Sequence, residues 1–144
     1  MSTEQNKAVL RRTYEEALNK GNVAVLRECM APDYVSHGPG GLDLKGPEGF
    51  GQYVTTMHAA FPDLRMTAEN MVAEGDYVAH RARFTGTHQG DWMGIPPTGK
   101  RVTLTLNVLS RFAEGKEVEA WEELDMLSFM QQLGVIPPIG RPGT

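Results

Sequence analysis

Apolar residues recur at every second position through Val102, Leu104, Leu106 and Val108, and the same parity continues to Ser110 and Phe112. That two-residue period predicts a strand with one buried face. The turn Ala113-Glu114-Gly115-Lys116 follows, with Gly115 supplying its geometry. A return arm then sets Val118, Ala120 and Leu124 on one face and Glu119, Trp121, Glu123 and Asp125 on the other. Glu122 breaks the alternation, because it puts a carboxylate on the otherwise apolar side. A carboxylate facing a packed interior must be paired, hydrogen-bonded or partly protonated. The hairpin over residues 101–125 is therefore the stretch around which the chain is organised.

Elsewhere the period changes to that of helices. Residues 3–19 read as a first helix capped by Ser2 or Thr3, with Leu10, Tyr14, Ala17 and Leu18 as its apolar stripe and Gly21 beyond its end. A short second helix over 23–30 starts at Asn22 and is stopped by Pro32. The stretch 33–41 begins extended and ends in a glycine-rich turn, which lacks the spacing of a phosphate-binding loop. A third helix, 47–60, carries Phe50, Val54 and Met57 on one face, and Phe61 extends the stripe. Strands over 64–73 and 76–85 flank a turn at Glu74-Gly75, and the loop 86–100 has the apolar content of a segment that packs over something. Asp125 caps a last helix, 126–133, ended by Gly134. The expected organisation is one domain, 1–134, with an irregular tail, 135–144. Helices followed by a meander predict an α+β fold: a strongly curved antiparallel sheet, closed as a cone-shaped barrel, with the N-terminal helices over its concave face.

Composition narrows the partners. The 144 residues carry a net charge of −4, with 40 % hydrophobic residues. No run of Lys or Arg marks a nucleic-acid surface. No apolar stretch is long enough for a membrane span and no signal-peptide core is present, so a cytoplasmic protein is expected, with neither nucleic acid nor membrane as partner. Cys29 stands alone, which excludes an internal disulfide, and its apolar surroundings fit a buried hydrophobe. The four histidines have no short ligand spacing, so no metal site is expected.

Glu122 is the foremost candidate for catalysis. In an apolar pocket its carboxyl would hold its proton to higher pH and serve as a general acid or base near neutrality. The competing reading is a structural ion pair with Arg81, Arg83 or Arg111. His80 is the second catalytic candidate, against a satisfied core or interface histidine. Tyr14, Tyr34, His37, Phe50, Tyr53, His88, Trp92, Met93, Ile95, Leu106, Val108 and Trp121 are the candidate ligand contacts, the aromatic ones with core packing as the alternative.

The segments Ala31-Pro32-Asp33-Tyr34-Val35, Gly46-Pro47-Glu48-Gly49-Phe50 and Phe61-Pro62-Asp63-Leu64 carry a family likeness. So do Gly86-Thr87-His88-Gln89-Gly90, Met93-Gly94-Ile95-Pro96-Pro97-Thr98-Gly99, Arg111 with Gly115-Lys116, and Asp125 with Gln132-Leu133-Gly134. In that order, over nearly the whole chain, they resemble the SnoaL-like polyketide cyclases of the nuclear-transport-factor-2-like superfamily. The resemblance implies a homodimer or higher oligomer whose sheets pack together, and a buried cavity with no metal or organic cofactor. It also implies an intramolecular aldol ring closure driven by a carboxylate and a histidine. The carboxylate position falls on Glu122, one methylene longer; the histidine position falls on Val108, and a cavity glutamine position on Leu106.

These readings converge on a cofactor-independent, polyketide cyclase-like enzyme using acid/base chemistry on a hydrophobic carbonyl compound, by aldol-type cyclisation, isomerisation or a related step. The alternative is a non-catalytic protein of the same fold that binds a small hydrophobic ligand, which the apolar Leu106 and Val108 favour. A purely structural dimerisation module is the third reading.

Overall fold

In a computed structural model, which describes residues 2–138, helices lie over one face of a six-stranded sheet. The first helix, α1 (Thr3–Arg12), opens with a reciprocal cap: Ser2 Oγ accepts from Gln5 N at 3.1 Å, and Ser2 N donates to Gln5 Oε1 at 2.9 Å. It runs on without interruption into a π-helical segment, Thr13–Asn19. A 3-10 turn (Val23–Val25) and α2 (Leu26–Cys29) follow. This second helical stretch is shorter than its sequence suggests. Met30 already begins β1 (Met30–His37), so the helix ends before Pro32, which lies inside the strand where its register shifts.

The glycine-rich turn closes as a 3-10 turn (Pro39–Gly41) and leads into β2 (Asp43–Lys45), a short edge strand that sequence periodicity did not reveal. Next comes α3 (Gly46–Ala60), whose Phe50, Val54 and Met57 are buried together with Phe61 just beyond its end. The strands β3 (Arg65–Glu74), β4 (Tyr77–Thr87), β5 (Arg101–Ala113) and β6 (Lys116–Leu124) form an antiparallel meander. Glu114 and Gly115, both at positive φ, make the two-residue turn between β5 and β6. The chain then enters α4 (Met126–Leu133), capped by the Asp125 side chain and ended by left-handed Gly134.

Two features of the expected sheet are corrected. The strand order β2-β1-β6-β5-β4-β3 leaves β2 and β3 at opposite edges, unpaired with each other, so the sheet is open, neither closed into a barrel nor strongly curled. Closure requires every strand to have two neighbours, and the meander pattern alone does not specify the edges. The sheet is also mixed, because β1 pairs parallel with β6. Of the tail expected over 135–144, residues 135–138 carry neither helix nor strand, and 139–144 lie outside the described residues.

The loop 88–100 is held down rather than free. Gln89 N and Gly90 N both donate to the Ala60 carbonyl, at 2.9 and 3.1 Å. Trp92 is buried against Phe61 and Tyr53. Near the same end of the sheet, Gln132 of α4 bonds both the N–H and the C=O of Thr103 at 2.8 Å, which docks α4 onto β5. A Cβ at Gly90 would collide with the Ala59 carbonyl oxygen at the end of α3. Gly90→Ala is therefore expected to lower stability by about 1–3 kcal/mol, the range for overpacked sites, measured by urea unfolding. Wild-type stability in that variant would show that the loop docks more loosely.

Candidate functional site

The helices and the sheet enclose a cavity of about 420 Å³ whose lining is mainly apolar. Among the described residues two carboxylates enter it, both from β6. Glu122 stands where the sequence places it, on the inner face opposite Val108. The second is Glu117, which strict alternation assigns to the outer face with Glu119. Between β5 and β6 the pairing steps from Arg111↔Glu119 to Phe112↔Glu117, leaving Val118 without an opposing residue. This bulge resets the parity of the strand, so Glu117 turns inward beside Ala120 and Glu122. Its side chain lines the cavity and is only 3 % exposed. Val118, expected on the inner face, is left half-buried at the bulge.

No ion pair holds either carboxylate among the described residues. Arg111 pairs with Glu119 and Arg83 with Glu69, both on the outer side of the sheet, while Arg81 is exposed there too. Burial pushes the Glu122 carboxyl up to about 7 from the usual 4.5. The side chain is half-buried and lines the cavity. Burial likewise raises Glu117 to about 7; the adjacent Ser110 hydroxyl offsets part of the rise, and the Glu122 charge adds to it. Ser110 Oγ nevertheless completes no well-formed hydrogen bond.

His80 lies in the same cross-strand row. Its Cα pairs with Val108 on β5, and Val108 pairs with Glu122 on β6. The π-helical turn brings Tyr14 down onto it, with Tyr14 Oη 2.6 Å from His80 Nε2 and the rings edge to face. Burial lowers His80 from 6.5 to about 4, so the ring is neutral near pH 7. Its Nδ1 is buried without a partner. A phenol and a neutral imidazole carry two polar hydrogens, and their mutual bond uses one. Whichever tautomer forms, one polar hydrogen is left over, on the buried His80 Nδ1 or on Tyr14 Oη. Tyr14 and Tyr34, both buried, are held well above the ordinary phenol range by desolvation, with Glu122 and Glu117 adding to it.

Comparison with known proteins matches residues 8–133 to the SnoaL-like polyketide cyclase family. The aklanonic acid methyl ester cyclase DauD of Streptomyces sp. strain C5 is 33 % identical over 85 % of this chain and 78 % of its own. The nogalonic acid methyl ester cyclase of Streptomyces nogalater is 30 % identical over 82 % of this chain and 90 % of its own. The crystal structure of wild-type IdmH from Streptomyces antibioticus superposes with a TM-score of 0.79 at 36 % identity, covering 91 % of this chain and 99 % of that one. The chain belongs to the SnoaL-like polyketide cyclase family. At family level this is a cyclase- or isomerase-type role on hydrophobic polyketide intermediates.

Within this SnoaL-like cavity, Tyr34, Phe50, Tyr53, Trp92, Met93, Leu106 and Val108 join Tyr14, His80 and Glu122 as lining residues. Four sequence candidates lie elsewhere. His37 is on the outer side, 2.8 Å from Glu119 and 3.1 Å from Asp43, and these carboxylates raise its pKa. Trp121, one residue from Glu122, points outward and lies against His37. His88 is fully buried, packed on Phe61 with Nδ1 3.0 Å from Thr98 Oγ1, so it fastens the loop instead of facing the cavity. Ile95 closes a small bridge with Trp92 and does not reach the cavity. Among the described residues, no group of three His, Cys, Asp or Glu is arranged to hold a metal.

The buried titrating groups set how stability changes with pH. From about pH 4.5 to 7 the unfolded chain loses the Glu117 and Glu122 protons while the folded chain keeps them, so stability falls as pH rises through that window. His80 acts in the opposite sense, costing stability as pH falls from 6.5 towards 4. Glu117→Gln removes one of these titrations. Its stability relative to wild type should therefore rise from pH 5 to pH 8, by about 1–3 kcal/mol in urea unfolding. An unchanged difference at the two pH values would show that Glu117 titrates as in water.

Proposed function

We propose that the protein is a polyketide cyclase-type enzyme in which Glu122 is the general base. The observation that carries this reading is an unpaired carboxyl, raised to about 7, facing an apolar cavity of about 420 Å³. That volume is in the range of small-molecule sites. A hydrophobic carbonyl compound bound there would lose an α-proton to the ionised Glu122. The spare donor of the Tyr14–His80 pair would stabilise the charge developing on the enolate oxygen. The enolate carbon then bonds to a second carbonyl of the same molecule and closes a ring. This sequence moves only protons and a carbon–carbon bond, so side-chain acids and bases suffice for it.

A second reading, a binding protein without turnover, is favoured by Leu106 and Val108, which present only hydrocarbon to the cavity. Aklanonic acid methyl ester and nogalonic acid methyl ester separate the two when incubated with the purified protein and followed for ring-closed product. Turnover by wild type is expected, with Glu122→Gln lowering kcat by about 10²–10⁴-fold while the fold is retained. Unchanged kcat in the variant removes Glu122 as the base; binding without conversion by wild type supports the binder.

Assembly belongs to the same reading. The sheet face away from the helices exposes Val72, Tyr77, Leu109 and Trp121. Ala79, Leu109 and Trp121 form one cross-strand row on it. Such an apolar stripe fits a homodimer packed sheet to sheet. Leu109→Lys is expected to shift the sedimentation coefficient from dimer to monomer; a monomeric wild type would rule out this arrangement.

A further inference from the structure

Glu117 takes no part in the chemistry above, yet the fold goes out of its way to bury it in the substrate cavity. Regular alternation would leave this side chain in solvent at no cost. The bulge at Val118 turns it inward instead, to a place where an apolar side chain would be the cheaper occupant. Its strand partners are Met30 on β1 and Phe112 on β5. The polar groups near it are the neutral Tyr34 and Tyr14 phenols, the Ser110 hydroxyl and Glu122. Those near Glu122 are the phenols of Tyr14, Tyr34 and Tyr53, with His80 in the same row.

Among the described residues, the cations stay outside the cavity. Lys116 bonds the Arg27 carbonyl, and Arg27 pairs with Glu48 on the surface. Neither these residues nor Arg12, Arg81, Arg83 or Arg111 line the cavity. Among the described residues, the two carboxyls thus share one mainly apolar cavity with no cationic side chain in its lining. Five residues of strand, roughly 15 Å of backbone, separate their Cα atoms, so they flank the cavity and do not bond each other.

We propose that Glu117 and Glu122 act as one acid–base pair across the bound substrate, with a single proton between them, Glu122 taking a proton from carbon and Glu117 giving one to oxygen. This rests on the base assignment for Glu122. Burial raises both carboxyls, and the Glu122 charge adds to the rise at Glu117, so Glu117 keeps its proton while Glu122 is ionised. That supplies a base and an acid at the same pH. In the ring closure, Glu122 carboxylate accepts the α-proton, the new carbon–carbon bond forms, and the alkoxide from the second carbonyl takes the Glu117 proton. The substrate gains and loses one proton, no electron is transferred, and the pair still holds one proton afterwards. After product leaves, exchange through water restores the original order.

The deciding measurement needs no substrate. Carbon-13 carboxyl-labelled glutamate, followed by NMR from pH 4 to 9 in the whole protein, reports both groups. Wild type should show two interacting titrations near neutrality, and Glu117→Gln should move the Glu122 midpoint to lower pH. Glu117→Met, which keeps the volume, should give the same shift if the amide is poorly tolerated. An unmoved Glu122 midpoint in both variants overturns the pair while leaving Glu122 as a base. Where the methyl esters are turned over, Glu117→Gln should lower kcat by about 10²-fold and abolish the alkaline limb of the pH profile. A surviving alkaline limb overturns the donor role. Full activity in Glu122→Gln would instead remove the base assignment, without altering the titration result.

Discussion

Between β5 and β6 the ladder runs in step from Leu106↔Leu124 to Arg111↔Glu119 and then slips by one residue at Val118. Side chains on a strand alternate, so this one slip decides which β6 residues face the helices and which face solvent. Before the slip, Ala120, Glu122 and Leu124 turn inward against Ser110, Val108 and Leu106. After it, Glu117 turns inward against Phe112. The outer face keeps Glu119, Trp121 and Glu123. Sequence spacing therefore puts the two acidic side chains of the cavity out of phase, and pairing brings them back together.

An apolar enclosure with acidic residues is unstable unless something offsets the loss of water. Among the described residues the offset is not a guanidinium, since Arg111 and Arg83 pair with Glu119 and Glu69 on the far side of the sheet. Protonation serves instead, because burial pushes both carboxyls up to about 7. His80 resolves the same problem in the other direction, by staying neutral and lying against the Tyr14 phenol. The buried polar atoms His80 Nδ1, Ser110 Oγ and Trp92 Nε1 have no partner, and all three belong to cavity-lining residues. Each unsatisfied group costs about 1–3 kcal/mol.

Much of this was legible from the chain. The β5–β6 hairpin and its turn, the buried stripe of α3 and both ends of α4 follow from period and capping, which are local. So does the position of Glu122. Glu117 was not legible, because a bulge is set by how two strands pair and leaves no mark in the alternation of one. The open sheet was missed for a related reason: whether edges meet depends on where β2 and β1 dock, and β2 is three residues long. His88 reads as a ligand contact on the loop 86–100, but its ring packs on Phe61 and bonds Thr98, contacts made ten or more residues away in the chain. His37 fails similarly: its partners Asp43 and Glu119 draw it to the outer face.

The register also bears on the two polar positions that the family likeness assigns to Val108 and Leu106. His80 is the direct cross-strand neighbour of Val108, so an imidazole occupies the same row one strand farther from Glu122. At about 4.8 Å per strand spacing, ring and carboxyl are carried roughly 10 Å apart, too far for a direct hydrogen bond. They can still reach two ends of one ligand. Tyr14, from the π-helical turn, stands over His80 and fills the polar side of that row. Losing the polar groups on β5 therefore makes the centre of the cavity apolar without emptying it of proton donors, which come instead from the strand on one side and the helix above.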